Sequence, residues 1–247
     1  VSFFKLSKVG LLGVMFPFIA SGETSFSIWE FDLGLGFILN SPGQTPAQIN
    51  ISNYEIDQLL PSKDPTKLSY YVGSRATIVS TPDSNWLRSL TLGLSNYYTN
   101  LQTKGSINQY QASWLNNYTY TRGSSMDDLL LELQMKLRSF YRFTPFVVFG
   151  TGPGFGTMSY NETPNAGVPG GQNQLGKRNQ TFWAFDIGAG ESYAITEKIG
   201  VTLKYLYIAH TNQLQSNLCG NGRCLLQPLQ THMNLSELIV SLRYQFG

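Results

Sequence analysis

His210 and His232 are the two side chains best suited by type to move a proton near neutral pH. Covalent catalysis would also need a nucleophile and an orienting group close by. His210 leads into Thr211-Asn212 and His232 into Met233-Asn234, and neither has a Ser two residues away on its own strand face. No triad can be assembled, so the chain is expected not to be an enzyme. Gly150, Gly152 and Gly154 recur at a period of two, which is strand spacing rather than that of a phosphate cradle. There is no metal-ligand cluster or dinucleotide fingerprint, and no cofactor is expected. Cys219 and Cys224 stand in Cys-Gly-Asn-Gly-Arg-Cys. A disulfide is expected if the chain is exported; metal binding is the alternative, although closed zinc sites usually take four ligands.

The remaining chemistry is charge. Of the 247 residues only 13% are charged, while 42% are hydrophobic, with 24 Gly, 14 Tyr and 15 Phe. Lys5 and Lys8, the uncharged run over 9–20 and the small residues Ala20-Ser21-Gly22 read as a signal peptide over residues 1–22. The run is shorter than the roughly 20 residues a spanning helix needs. Removing it takes away two Lys and no acid, so the 17 basic residues fall to 15 and match the 15 acidic ones. A balanced chain lacks the excess Lys and Arg that nucleic-acid binding draws on, so no nucleic acid is expected as a partner.

Residues 23–247 alternate in polarity again and again, as strands do. In 28–37, Trp29, Phe31, Leu33, Leu35 and Phe37 share one face, with Glu30 and Asp32 on the other. Segments 67–81, 86–98, 144–155, 182–193, 200–210 and 235–246 behave alike. In 129–140, Leu129, Leu131, Leu133, Met135 and Leu137 oppose Glu132, Gln134, Lys136 and Arg138. These are also good helix formers, but a strict period of two favours a strand. Eight strands of 9–11 residues or more can cross a bilayer at a tilt. Three links are tight, at 81–85, 141–143 and 196–198. Four are long and polar, at 41–66, 99–124, 157–180 and 211–230. Short turns on one rim and long loops on the other predict an all-β, eight-stranded antiparallel up-and-down transmembrane β-barrel, because only closure satisfies every backbone group in lipid.

Thr144-Pro145-Phe146-Val147-Val148-Phe149-Gly150-Thr151-Gly152 resembles the fifth strand of the small eight-stranded barrels typified by the membrane domain of outer-membrane protein A and by opacity proteins. Phe185-Asp186-Ile187-Gly188-Ala189-Gly190 resembles their sixth strand, and Thr196 to Tyr205 their turn into the seventh. The resemblance implies a bacterial outer membrane, with periplasmic turns and extracellular loops. It also implies that Tyr244 and Phe246 form the assembly signal read by the barrel-insertion machinery. Ser241 stands where that signal usually has Gly, and Gly247 follows the last aromatic.

Strand parity turns five acids inward, Glu30, Asp32, Glu132, Asp186 and Glu237, and five bases, Arg75, Lys136, Arg138, Lys204 and Arg243. Unpaired charges in a narrow lumen are costly, so an ion-pair network plugging it is expected; a thin water column is the alternative. The function expected is structural or surface-interacting, through loops rich in Asn, Tyr and Gln that could meet a host or surface ligand while the barrel wall meets lipid. A narrow ion or small-solute channel is the alternative, and a lipid-modifying barrel enzyme the remote one.

Overall fold

The computed structural model describes residues 28–40, 44–45, 48–50, 56–63, 67–81, 86–169, 173–212, 214–216, 219–220, 223–224, 226, 229–231 and 234–246. The expected signal over 1–22, and His232, lie outside them. Eight long strands form the barrel: β1 (Trp29–Ile38), β2 (Leu68–Ser80), β3 (Leu87–Asn108), β4 (Tyr118–Leu137), β5 (Phe143–Pro164), β6 (Asn173–Ala194), β7 (Ile199–His210) and β8 (Leu235–Phe246). Each pairs antiparallel with its sequence neighbour, and β1 pairs with β8 from Trp29↔Phe246 to Ile38↔Glu237, which closes the ring. The segment that could have been a helix is β4, a strand of 20 residues.

Outward side chains make an apolar belt. Leu92, Leu133, Phe149 and Ile187 stand side by side in register on β3 to β6, and Leu33, Leu203 and Leu242 continue the belt on β1, β7 and β8, all three exposed. A soluble protein rarely exposes a continuous apolar band of this size, whereas lipid requires one about 25 Å tall. Among the described residues no helix is long and apolar enough to cross a membrane, so the crossing is made by strands.

The strands are of two lengths. β1, β2, β7 and β8 have 10, 13, 12 and 12 residues, whereas β3 to β6 have 22, 20, 22 and 22. Most of the stretches 99–124 and 157–180, expected as irregular loops, are therefore strand. The reason lies on the outward face. On β4 it is apolar from Leu137 to Leu129 and then polar, with Asp127, Ser125, Thr121 and Thr119. At about 2.5 Å of height per tilted residue, the apolar part spans about 20 Å, close to the bilayer core. Above it the strands leave lipid but keep pairing.

The inward face inverts at the same height. Leu101, Ile107, Tyr120, Met126, Met158 and Tyr160 point inward from β3, β4 and β5 and form one buried cluster with Ile38, Leu235 and Phe182. A hairpin of Gln48–Asn50 and Ile56–Lys63 continues the sheet beside upper β3, with Gln58 opposite Asn108. It adds Ile49 and Leu59 to the cluster. The upper wall is thus polar outside and mainly apolar inside, with Thr103, Arg122 and Glu162 also buried on its inward face, and its core sits above the lumen charges. The same excursion between β1 and β2 is tied to the one between β7 and β8, with Thr45 opposite Gln230 and the Leu226 N–H donating to the Asn50 carbonyl at 2.9 Å. Cys219 and Cys224 are direct register partners in a two-residue ladder; their side chains lie outside the described residues.

Leu133→Arg, midway up the belt, is expected to destabilise the barrel in bilayers by about 2–4 kcal/mol, and Thr121→Arg on the same face of β4 by less than about 1 kcal/mol. Urea unfolding in phospholipid vesicles measures both.

Candidate functional site: the filled lumen

The inward positions of the membrane-level strands carry the charges, and alternation on each strand aims them at one another. At the short-turn rim, Glu30 on β1 meets Lys136 on β4 in an ion pair, with the Arg243 guanidinium of β8 3.8 Å from the same Glu30 oxygen. One layer up, Arg75 on β2 pairs with Asp32 on β1 at 2.8 Å. Arg75 also donates to the Gln134 side-chain oxygen and to the Tyr71 hydroxyl. A guanidinium offers five donors in a plane, which suits a residue contacting three strands at once.

The middle layer centres on Glu132 of β4. It accepts from Ser95 Oγ at 2.6 Å and from the Tyr97 hydroxyl, both on β3. Lys204, reaching across from β7, donates to the Tyr97 oxygen at 2.6 Å and lies 3.7 Å from the Glu132 carboxylate. Its ammonium also sits 4.1 Å from the centroid of the Tyr71 ring and 4.9 Å from that of Tyr97. The two rings stack with centroids 5.0 Å apart. A buried ammonium is tolerated when it is both hydrogen-bonded and set over aromatic faces.

Asp186 and Glu237 also face inward, but neither makes an ion pair with a described base. Glu237 is fully buried and accepts from Ser69 Oγ at 2.8 Å and Thr99 Oγ1 at 3.3 Å. Asp186 and Glu132 flank Gly150, whose missing side chain leaves the room: a Cβ there would collide with the Asp186 carboxylate. Neither Asp186 oxygen finds a hydrogen-bond donor among the described residues.

Arg138 is not part of the lumen. Its parity matches Lys136, but β4 ends at Leu137, so Arg138 falls beyond the barrel rim and is exposed. Its N–H donates to the Trp86 carbonyl at 2.9 Å as the chain turns. Nine of the ten expected lumen residues are therefore inside.

Sequence reasoning missed a further pair. His210 is not a solvated rim residue: its side chain is fully buried, with Nε2 3.1 Å from Asp128 Oδ2 and the ring edge-on to Phe182 at 4.8 Å. The signal was parity. Asp128 continues the face of Glu132 and Leu130, and His210 that of Lys204 and Leu206. The pair lies beside the apolar cluster that holds Phe182, at the junction between charged lumen and cap.

Glu132→Gln should lower the unfolding free energy by about 3 kcal/mol, because it leaves the buried Lys204 without its counter-charge. Asp186→Asn is expected to cost nothing or to stabilise by about 1–2 kcal/mol, since it replaces a buried carboxyl that no described base pairs and that stands beside the Glu132 carboxylate with an isosteric neutral amide. Reversible denaturation in detergent micelles compares them.

No protein-family model matches the chain, and no curated protein matches it. Solved structures do match. The outer membrane protease OmpT from Escherichia coli is 10% identical, with 91% of this chain and 99% of that chain covered and a TM-score of 0.52. A major outer membrane protein from Thermus thermophilus is 9% identical, with 88% and 99% covered and a TM-score of 0.50. At such identities the likeness is one of fold. The fold is that of outer-membrane β-barrels, and with its apolar belt the chain is a protein of that membrane.

Proposed function

We propose that this barrel is a closed outer-membrane protein with a structural or surface-interacting role, acting through its extracellular part and not through its lumen. The observation that carries this reading is the double filling of the interior. Paired charges occupy the membrane level, and an apolar core sits above them. Ions crossing would have to break the ion pairs and then pass hydrocarbon side chains, both costly in a narrow, low-dielectric space. The barrel wall meets outer-membrane lipid along the belt. Tyr244 and Phe246, exposed on β8 and edge-to-face at 4.7 Å, are presented to the barrel-insertion machinery during assembly. The long excursions are where a host or surface ligand would bind.

A catalytic reading gains no support from the one acid–histidine pair described. Both members of Asp128–His210 are buried beside the apolar cluster, which argues against a lipid or peptide substrate reaching them.

The test is planar-bilayer conductance of the refolded protein. The unaltered barrel should be silent, and Arg138→Ala should leave it silent, because Arg138 is outside the lumen. With two seals in series, neither Asp32→Ala with Arg75→Ala nor Met126→Ser with Met158→Ser should leak alone, whereas the four changes together should pass ions. A steady channel from the unaltered protein would make the narrow-pore reading the better one.

A further inference from the structure

The upper wall of β3 to β6 has two faces, and the lumen explains only one of them. The inward face is filled by the apolar cluster. The outward face turns polar where the apolar belt stops and is mostly amides and hydroxyls, with Asp127 at its lower edge and the exposed Lys104 higher up on β3. Its clearest row runs across four strands in register: Asn100 opposite Ser125, Ser125 opposite Thr157, and Thr157 opposite Asn179. Asn100 and Asn179 are exposed and Ser125 and Thr157 half-exposed. Thr157 Oγ1 donates to Asn179 Oδ1 at 3.0 Å. The row holds neither Lys nor Arg. Just below it, Tyr98 and Trp183 are exposed at the top of the belt, the height at which amphipathic aromatic rings mark the membrane–water interface.

We propose that this outward face is a contact surface for the saccharide headgroups of the outer-leaflet glycolipid. This rests on the outer-membrane reading above and extends it. The argument is continuity: the same strands, on the same parity, leave the hydrocarbon at Leu129 and pass directly into the headgroup layer that surrounds the barrel. The row's chemistry selects within that layer. Phosphate recognition favours Arg and Lys, whereas a sugar offers neutral hydroxyls that Asn, Ser and Thr can both donate to and accept from. Short side chains on a four-strand sheet lose little conformational entropy when they bind.

The experiment reconstitutes the refolded protein in vesicles of three compositions: phospholipid alone, phospholipid with glycolipid carrying its complete core saccharide, and phospholipid with the acylated disaccharide anchor alone. The readout is the temperature at which the compact, detergent-resistant gel band is lost. The complete glycolipid should raise it above both other mixtures. The fourfold variant Asn100→Ala, Ser125→Ala, Thr157→Ala, Asn179→Ala should lose that rise while matching the unaltered protein in phospholipid. An equal rise with the anchor alone, or a full rise in the variant, overturns the proposal. Should the fourfold variant not fold, the three-way comparison of the unaltered protein and the double variant Asn100→Ala, Asn179→Ala decides. A protein that forms no compact band in any vesicle contradicts the barrel reading itself, which a folded protein indifferent to saccharide does not.

Discussion

A peptide group in hydrocarbon has no water to bind, so each N–H and C=O must find its partner in a neighbouring strand. The β1–β8 pairing meets that demand by closing the ring at the membrane level. Once the ring is closed, the period of two assigns every residue of every strand to the inside or the outside. Side-chain chemistry can then vary only along the strand axis, and this chain uses that freedom by changing polarity with height. At the membrane it is apolar outside, with the charges and a second apolar cluster around Leu130, Leu206 and Ile239 inside; above the membrane it is polar outside and mainly apolar inside, with Arg122 and Glu162 buried there as well. Apart from the register shifts between Thr77 and Val79, between Leu87 and Ser89 and between Ser159 and Tyr160, the parity holds while the surroundings change.

The charged layer and the cap depend on each other through this arrangement. Buried ion pairs do not stabilise strongly by themselves, because desolvation offsets much of the attraction. Here Arg75 and Glu132 each make two side-chain hydrogen bonds and an ion pair, and Lys204 one hydrogen bond and an ion pair, and together they tie facing strands. The apolar cluster sits above the network and buries the hairpin residues Ile49 and Leu59, which adds packing to the hairpin's ladder with upper β3.

The sequence was most readable where lipid and lumen lie on opposite faces. Leu129 to Leu137 against Glu132 and Lys136 could hardly be anything else once the neighbouring segments alternate in the same way. It was harder to read above the belt. In 99–108, Leu101 and Ile107 do alternate with Asn100, Gln102, Lys104 and Ser106, but Thr103 and Gly105 dilute the apolar side, and a polar outward face resembles a loop. The clearer signals for the strand ends were Asn116-Asn117 and Pro164-Asn165-Ala166-Gly167, which bracket the real turns. Nine of the charges that parity turns inward lie on the inward face, and Arg138 lies beyond its strand, because parity carries no information about where a strand ends. It also contained the Asp128–His210 pair, which went unread because one member fell just before the expected start of its strand and the other at an expected rim.

The most direct measurement of this account is a spin-label scan along β4 in bilayers, at every residue from Leu137 to Thr119, with oxygen and a water-soluble nickel complex as relaxation agents. The polarity inversion predicts that outward labels from 137 to 129 respond to oxygen, that outward labels from 125 to 119 respond to nickel, and that inward labels throughout are shielded from both. Oxygen accessibility continuing up to position 121, or nickel accessibility at the inward positions 132 and 136, would contradict it.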